Sequence, residues 1–464
     1  MRFTAYGAAE TVTGSCHLLE GDTGRIVVDC GLFQGETDAD DLNRQPFPFE
    51  ADAVDAVVLT HGHLDHVGRL PLLVKQGFRG TIIATEATAE IAQLILMDSA
   101  RIQVEDAAYH AKRAKRRGGR AEPPLYDEAD VLDVFRCSWK RVEYGETILV
   151  GAGMQVVLRD AGHILGSATV EVSDGKQVVM FSGDLGSSDR PIVRDPHPIP
   201  EDVSPDLIVL ESTYGDRNHR SLDESVSQLQ QAVGEIIGAG GNLLIPSFAL
   251  ERTQEVLYEL FKMWRADALP LRTQIYLDSP LAIAVTRVFE RHRSVFDQEG
   301  RELFGARPNP FQFPPLQFTR STEESKRINA SPGGNIIVAG SGMCSGGRII
   351  HHLRHNLWRN DCGVFFLGFQ ARGTLGRRLV EGASSVRIFG DPVQVEARVF
   401  TVNGFSAHAD QRELMKWIDA KPTSPVMLVH GEPESIAALK SSIEARRGSS
   451  CRIEIAKRGR SVEI

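Results

Sequence analysis

No apolar run in the 464 residues approaches the roughly 18–20 that a membrane helix needs. The opening MRFTAYGAAETVTGS lacks the basic-then-apolar layout of a secretory leader, so no membrane partner is expected and the cytoplasm is the expected compartment. Cysteine is scarce. The six (Cys16, Cys30, Cys137, Cys344, Cys362, Cys451) form no CxxC pair, which excludes a visible thiolate zinc site and reads as reduced thiols. An excess of cations is also missing: 52 Lys+Arg stand against 61 Asp+Glu, a formal charge of −9, so bulk electrostatics do not advertise a nucleic-acid binder. A local basic patch would still suffice for phosphate contacts. There is no internal repeat and no low-complexity linker. What is present is ordinary for a globular protein: 42% hydrophobic, 24% charged, 43 Gly and 22 Pro, which rules out collagen-like, coiled-coil and disordered chains. The length suggests two or three domains.

The first 210 residues carry short β-rich runs closed by Gly, Asp or His, such as GRIVVDCG, DAVVLTHG, QVVLRDAG, KQVVMFSGD and DLIVLEST. These read as buried strands. Helical spacing runs from about Glu86 to Lys115 and meets a basic cluster of Lys112, Arg113, Lys115, Arg116, Arg117 and Arg120, whose plainest reading is a solvated helix end. From about 215 to 395 strands alternate with helices, which implies a doubly wound parallel sheet. The Pro- and Phe-rich stretch 297–330 has no periodicity and reads as a long ordered loop. Beyond 395 the first style returns.

The strongest signal is THGHLDHVG, residues 60–68, directly after an apolar strand. In extended chain His61 and His63 project to one side and can grip one cation, and after the turn Asp65 and His66 can face a second. Imidazole and carboxylate without thiolate suit zinc in an open catalytic site. His163, Asp184 and His430 end other predicted strands, where a sheet would deliver them to a common rim.

The order Asp29, HxHxDH, His163, Asp184 resembles the metallo-β-lactamase superfamily, whose fold is a four-layer αββα sandwich. The resemblance implies two Zn2+ per chain. His61, His63 and His163 would hold one, Asp65, His66 and His430 the second, and Asp184 would bridge them. Asp29 would be a carboxylate that orients ligands; by spacing alone, a strand-end turn residue is an equally open reading. Glu211 in ESTYG, His408 in GFSAHAD and His430 in VHGE resemble motifs A, B and C of the β-CASP nucleases, in which a second domain is inserted into the lactamase fold. That implies a metallo-β-lactamase domain over 1–214 and 396–464 and a doubly wound α/β β-CASP domain over 215–395. GSGMCSGGRIIHHLRH, residues 340–355, and His430 resemble the RNA-processing members. Glu251 departs from the pattern, falling where many relatives have Gly before the Arg.

The implied activity is zinc-dependent hydrolysis of single-stranded RNA, endonucleolytic or 5′-exonucleolytic, leaving a 5′-phosphate and a 3′-hydroxyl. A water activated by zinc would attack phosphorus, with Asp65 orienting it. His408 would protonate the departing oxygen, its tautomer held by Glu211. Arg252, Ser341, Gly342, Gly347 and Arg348 would contact RNA phosphates, whereas His351, His352 and His355 read as surface or packing groups. A homodimer is an expected assembly. The alternatives are a small-molecule ester or thioester hydrolase of the same fold, which has no use for His408 or the insertion, and a DNA nuclease, against which His430 argues.

Overall fold

A computed structural model describes residues 1–35, 38–116, 121–448 and 451–464. Alternation within single strands sets the layering. In the strand Gly24–Val28, Ile26 and Val28 enter one buried cluster with Val58, Val170, Val179 and Val209, while Val27 enters another with Val57, Leu70, Leu73 and Leu96. A strand apolar on both faces must be covered on both. The first cluster lies between two seven-stranded sheets. One runs Ser461–Glu463, Arg2–Ala5, His17–Gly21, Gly24–Val28, Ala56–Val58, Thr81–Thr85, Ser138–Val142. The other runs Ile453–Ile455, Val426–Leu428, Leu207–Leu210, Val178–Phe181, Ala168–Ser173, Met154–Asp160, Thr147–Val150. Helices Leu70–Lys75, Glu86–Arg116 and Glu128–Arg136 cover the outside of the first sheet. Helices Gln411–Asp419 and Pro433–Arg447 cover the second through Leu414, Trp417, Leu439 and Ile443. The layers are αββα.

The chain divides into two compact units, Met1–Ser188 with Asp195–Asn218 and His408–Ile464, and Asp189–Arg194 with His219–Ala407. The second unit holds an all-parallel six-stranded sheet ordered Leu316–Phe318, Gln274–Leu277, Asn335–Ala339, Leu243–Pro246, Gly363–Phe366, Arg398–Thr401. Helix Ile349–Asn356 closes one face over Leu244, Ile337 and Val364. Two details differ from the sequence reading. The segment 297–330 contains helices Gln298–Gly305 and Thr322–Asn329 and the edge strand Leu316–Phe318; each helix is only eight residues long, too short for periodicity to show, although Asp297 and Ser321 cap them. The units also part at 218/219 and 407/408, not 214/215 and 395/396, because strand Arg398–Thr401 pairs with Gly363–Phe366. Its apolar pattern fits either sheet; only pairing decides.

In the second unit, one carboxylate ties the sheet to its helices. Asp278, fully buried, accepts from Arg348 Nη1 at 2.6 Å, Thr319 Oγ1 at 2.6 Å and Ser325 Oγ at 2.5 Å, and lies 2.6 Å from His352 Nε2. Burial alone would raise its pKa, but these partners, His352 foremost, hold it down at about 2. A carboxyl depressed from 3.8 to about 2 contributes about 2 kcal/mol of stability that is complete above about pH 4 and lost as pH falls toward 2. Asp278→Asn should therefore lose about 2–3 kcal/mol at pH 7, since it takes the charged acceptor from the Arg348 guanidinium and from the buried Thr319 and Ser325 hydroxyls. The stability gap between wild type and variant, read from urea melts, should narrow by about 1 kcal/mol on moving from pH 7 to pH 3; an equal gap at both would refute this account.

Candidate metal centre

Strand ends from both sheets of the first unit deliver the ligand-type side chains. Asp29 follows Gly24–Val28, His61 follows Ala56–Val58, His163 follows Met154–Asp160, Asp184 follows Val178–Phe181, Glu211 follows Leu207–Leu210 and His430 follows Val426–Leu428. Asp29 and His430 adopt positive φ, 62° and 51°, conformations costly for non-glycine residues and found where surrounding structure over-determines the backbone.

The donor atoms of His61, His63, His163 and Asp184 lie within 4.8 Å of one another, as do those of Asp65, His66 and His430. His61 Nε2 is 3.0 Å from His63 Nδ1, which is 3.4 Å from His163 Nε2; Asp184 Oδ2 is 3.5 Å from His61 Nε2 and 3.6 Å from His163 Nε2. In the second group His66 Nε2 is 3.2 Å from His430 Nε2 and 3.4 Å from Asp184 Oδ2, and His430 Nε2 is 3.8 Å from Asp65 Oδ2. Zinc–nitrogen bonds of about 2.0–2.1 Å give tetrahedral edges of about 3.3–3.4 Å, so the spacings fit. Asp184 Oδ1, buried without a hydrogen-bond partner, is the orphaned acceptor that a cation would satisfy.

Tautomers follow from the partners behind the rings. His66 Nδ1 donates to Asp29 Oδ2 at 2.7 Å. Thr60 Oγ1 donates to the Asp29 carboxylate, 2.9 Å from Oδ2, and so accepts from His61 Nδ1 at 3.0 Å. Both rings thereby turn Nε2 into the site, the orientation usual for metal-ligating histidine. Burial drives His61 well below its ordinary pKa and His63 down to about 4, leaving both neutral and free to bind a cation at pH 7. His66 runs the other way: burial would lower it, but the Asp184 and Asp29 carboxylates hold it well above its usual value. Asp184, despite burial, is held well below the carboxylate range by His430, His66 and His61.

Beside these groups Glu211 is fully buried. Its Oε1 accepts from Leu185 N at 2.8 Å, its Oε2 from Thr213 N at 3.3 Å, and Oε1 lies 3.2 Å from His408 Nδ1. The His408 side chain stays 17% exposed, so this ring reaches solvent. Sequence reasoning missed the hydroxyls that orient the rings: Thr60, Thr213 (3.1 Å from His430 Nδ1) and Ser182, which accepts from Glu211 N at 2.9 Å. The available signal was a hydroxyl residue within two positions of a ligand-type side chain at a strand end.

The residues read as phosphate contacts lie in the second unit. Ser341, Gly342 and Gly347 belong to the loop after strand Asn335–Ala339. Arg348 is engaged by Asp278 and by the Thr319 and Arg320 carbonyls at 3.2 and 2.9 Å. Arg252 opens helix Arg252–Arg265 behind Glu251, whose φ of 65° is a glycine-favouring geometry. His352 is buried against Asp278, while His351 and His355 are exposed. Lys112, Arg113, Lys115 and Arg116 are exposed on the last turns of helix Glu86–Arg116; Arg117 and Arg120 lie outside the described residues. Among the described residues no helix is long and apolar enough to cross a membrane.

Residues 10–247 match the family profile of the metallo-beta-lactamase superfamily, 253–379 the Beta-Casp domain, and 392–455 the Zn-dependent metallo-hydrolase RNA specificity domain. The chain belongs to the metallo-β-lactamase superfamily, in its β-CASP branch, and is a metal-dependent hydrolase. It is 39% identical over 464 residues to ribonuclease TTHA0252 of Thermus thermophilus, covering 100% of each chain. It is 30% identical over 460 residues to transcription termination factor FttA of Methanosarcina mazei, covering 96% of this chain and 69% of that protein. A crystal structure of a protein of unknown function from Enterococcus faecalis V583 shares the fold, with a TM-score of 0.54 at 10% identity over 100% of this chain and 99% of that one.

Glycine is required where backbones cross beneath the site. A Cβ on Gly31 would come 1.5 Å from the carbonyl oxygen of Asp65, a backbone atom pinned by the Ser15 amide at 2.9 Å. Gly31→Ala should displace the Asp65–His66 backbone and lower bound metal, read by elemental mass spectrometry on purified protein. A folded variant with wild-type metal content would show that the two loops are not coupled.

Proposed function

We propose that the chain hydrolyses phosphodiester bonds of single-stranded RNA with two zinc ions. His61, His63 and His163 would hold one, Asp65, His66 and His430 the other, with Asp184 between. The observation that carries a nuclease reading is the Glu211–His408 pair beside the two donor groups, which a simple ester hydrolase does not need. RNA as the substrate is supported by the RNA specificity domain profile and by the ribonuclease among the relatives.

Zinc at these donors would supply Lewis-acid polarisation of a phosphoryl oxygen and a more acidic water. The protein's own groups then divide the work. Asp65 is half-buried at the rim of the second donor group and accepts a hydrogen bond from the attacking water, orienting it in line with the scissile bond. Glu211 is immobilised by the Leu185 and Thr213 amides and accepts from His408 Nδ1. That leaves Nε2 as the nitrogen that delivers a proton to the departing 3′ oxygen. The products are a 3′-hydroxyl and a 5′-phosphate.

Asp184, Glu211 and His408 also bring donor atoms within 4.8 Å of one another, which offers a competing role for His408 as a ligand. His63→Ala should lose metal and RNA cleavage together. His408→Ala should keep its metal and lose turnover by about 10²–10⁴-fold. Metal loss from His408→Ala would assign that ring to coordination. Matched single-stranded RNA and DNA, labelled at either end and run with and without chelator, test the substrate class. Chelator-sensitive cutting of RNA alone is expected, and its fragment ladder separates internal from 5′-directed attack. Equal cutting of DNA would overturn the RNA assignment.

A further inference from the structure

Three neighbouring parallel strands of the second unit, Asn335–Ala339, Leu243–Pro246 and Gly363–Phe366, end in three loops on the same edge of their sheet. Carboxyl ends of parallel strands are where open α/β sheets take ligands. Short contacts draw these loops into one surface. A Cβ on Gly342 would lie 2.7 Å from the Phe248 ring, and one on Gly368 would lie 2.6 Å from Arg252 Nη1. Gln370 Nε2 donates to Gly342 O at 3.2 Å, and the Arg252 guanidinium stands 5.6 Å from the Phe248 ring centroid.

Phenylalanine dominates the largest fully buried side chains of this protein, yet Phe248 is 40% exposed and Phe369 is 51% exposed. Both sit on this surface. Leaving two large rings in water forgoes burial free energy and calls for an occupant. Arg252 adds a cation that, among the described residues, forms no ion pair with a carboxylate; Arg348, by contrast, is neutralised by Asp278. Two partly exposed rings and a guanidinium beside them are the chemistry of base stacking with phosphate contact. A protein partner would prefer a rim with polar specificity, whereas a π-face accepts any base.

We propose that Phe248 and Phe369 form a stacking platform for bases of single-stranded RNA, with Arg252 as the charge that engages the adjoining phosphate. This rests on the RNA reading above.

The test is steady-state cleavage by the zinc-loaded enzyme of a single-stranded RNA and of the same RNA scanned with single abasic sites. Phe248→Ala and Phe369→Ala should each raise KM by roughly 5- to 100-fold and leave kcat within about twofold. One abasic position should weaken the wild type but not the variant that lacks its ring. Phe369→Trp should restore KM, and Phe369→Leu, apolar but not aromatic, should not. Unchanged KM in both alanine variants, or full rescue by leucine, would overturn the platform. A fall in oligomer mass by light scattering with KM unchanged would reassign the surface to contact between protein copies. Wild type that cuts no RNA fails before any variant is made, and that failure belongs to the RNA reading itself.

Discussion

The carboxylate of Asp184 makes the site possible. Its oxygens lie 3.4–3.9 Å from ring nitrogens of His61, His66, His163, His408 and His430 in a pocket where Asp184 itself is 2% exposed. Imidazoles crowded this closely repel one another when more than one is protonated, and burial works against charging His61 and His66. One anion at their centre offsets that repulsion and holds the ring nitrogens together at the spacing of a coordination shell. Behind it Asp29 and Thr60 do the same for orientation: a carboxylate shared by His66 and the Thr60 hydroxyl settles two tautomers at once.

Rigidity comes from the backbone. Most ligand-type residues follow a strand end, while His63 caps, and Asp65 and His66 lie in, the short helix Leu64–Val67; the strands belong to two sheets held by one shared core, so packing positions the rim. The cost is visible at Asp29 and His430, which hold positive φ, and at Gly31, where no side chain can fit above the Asp65 carbonyl. The second unit repeats the device for stability. Asp278 gathers Arg348, His352, Thr319 and Ser325, and in doing so removes one of the two arginines that charge alone would nominate for phosphate binding.

Much of this was legible in the chain. Four ligand-type side chains in six residues after an apolar strand leave little room for another reading, because unpartnered buried ionisable groups are so costly. Strand–helix alternation announced a parallel sheet between about 215 and 395 for an equally local reason, the switch of apolar period from 2 to 3.6. The helices within 297–330 were hidden because two turns are too short to show a period.

What the amino-acid order determined alone was local: which segments are apolar on one face or two, and where imidazole and carboxylate terminate a strand. Only the tertiary structure decided which sheet Arg398–Thr401 joins, that Thr213 stands behind the His430 ring, and that Arg348 is spent on Asp278 while Arg252 is not. Pairing and charge compensation depend on partners tens or hundreds of residues away. No local pattern of polarity or spacing specifies those partners, because the energy that selects them arises only when the chain has closed around them.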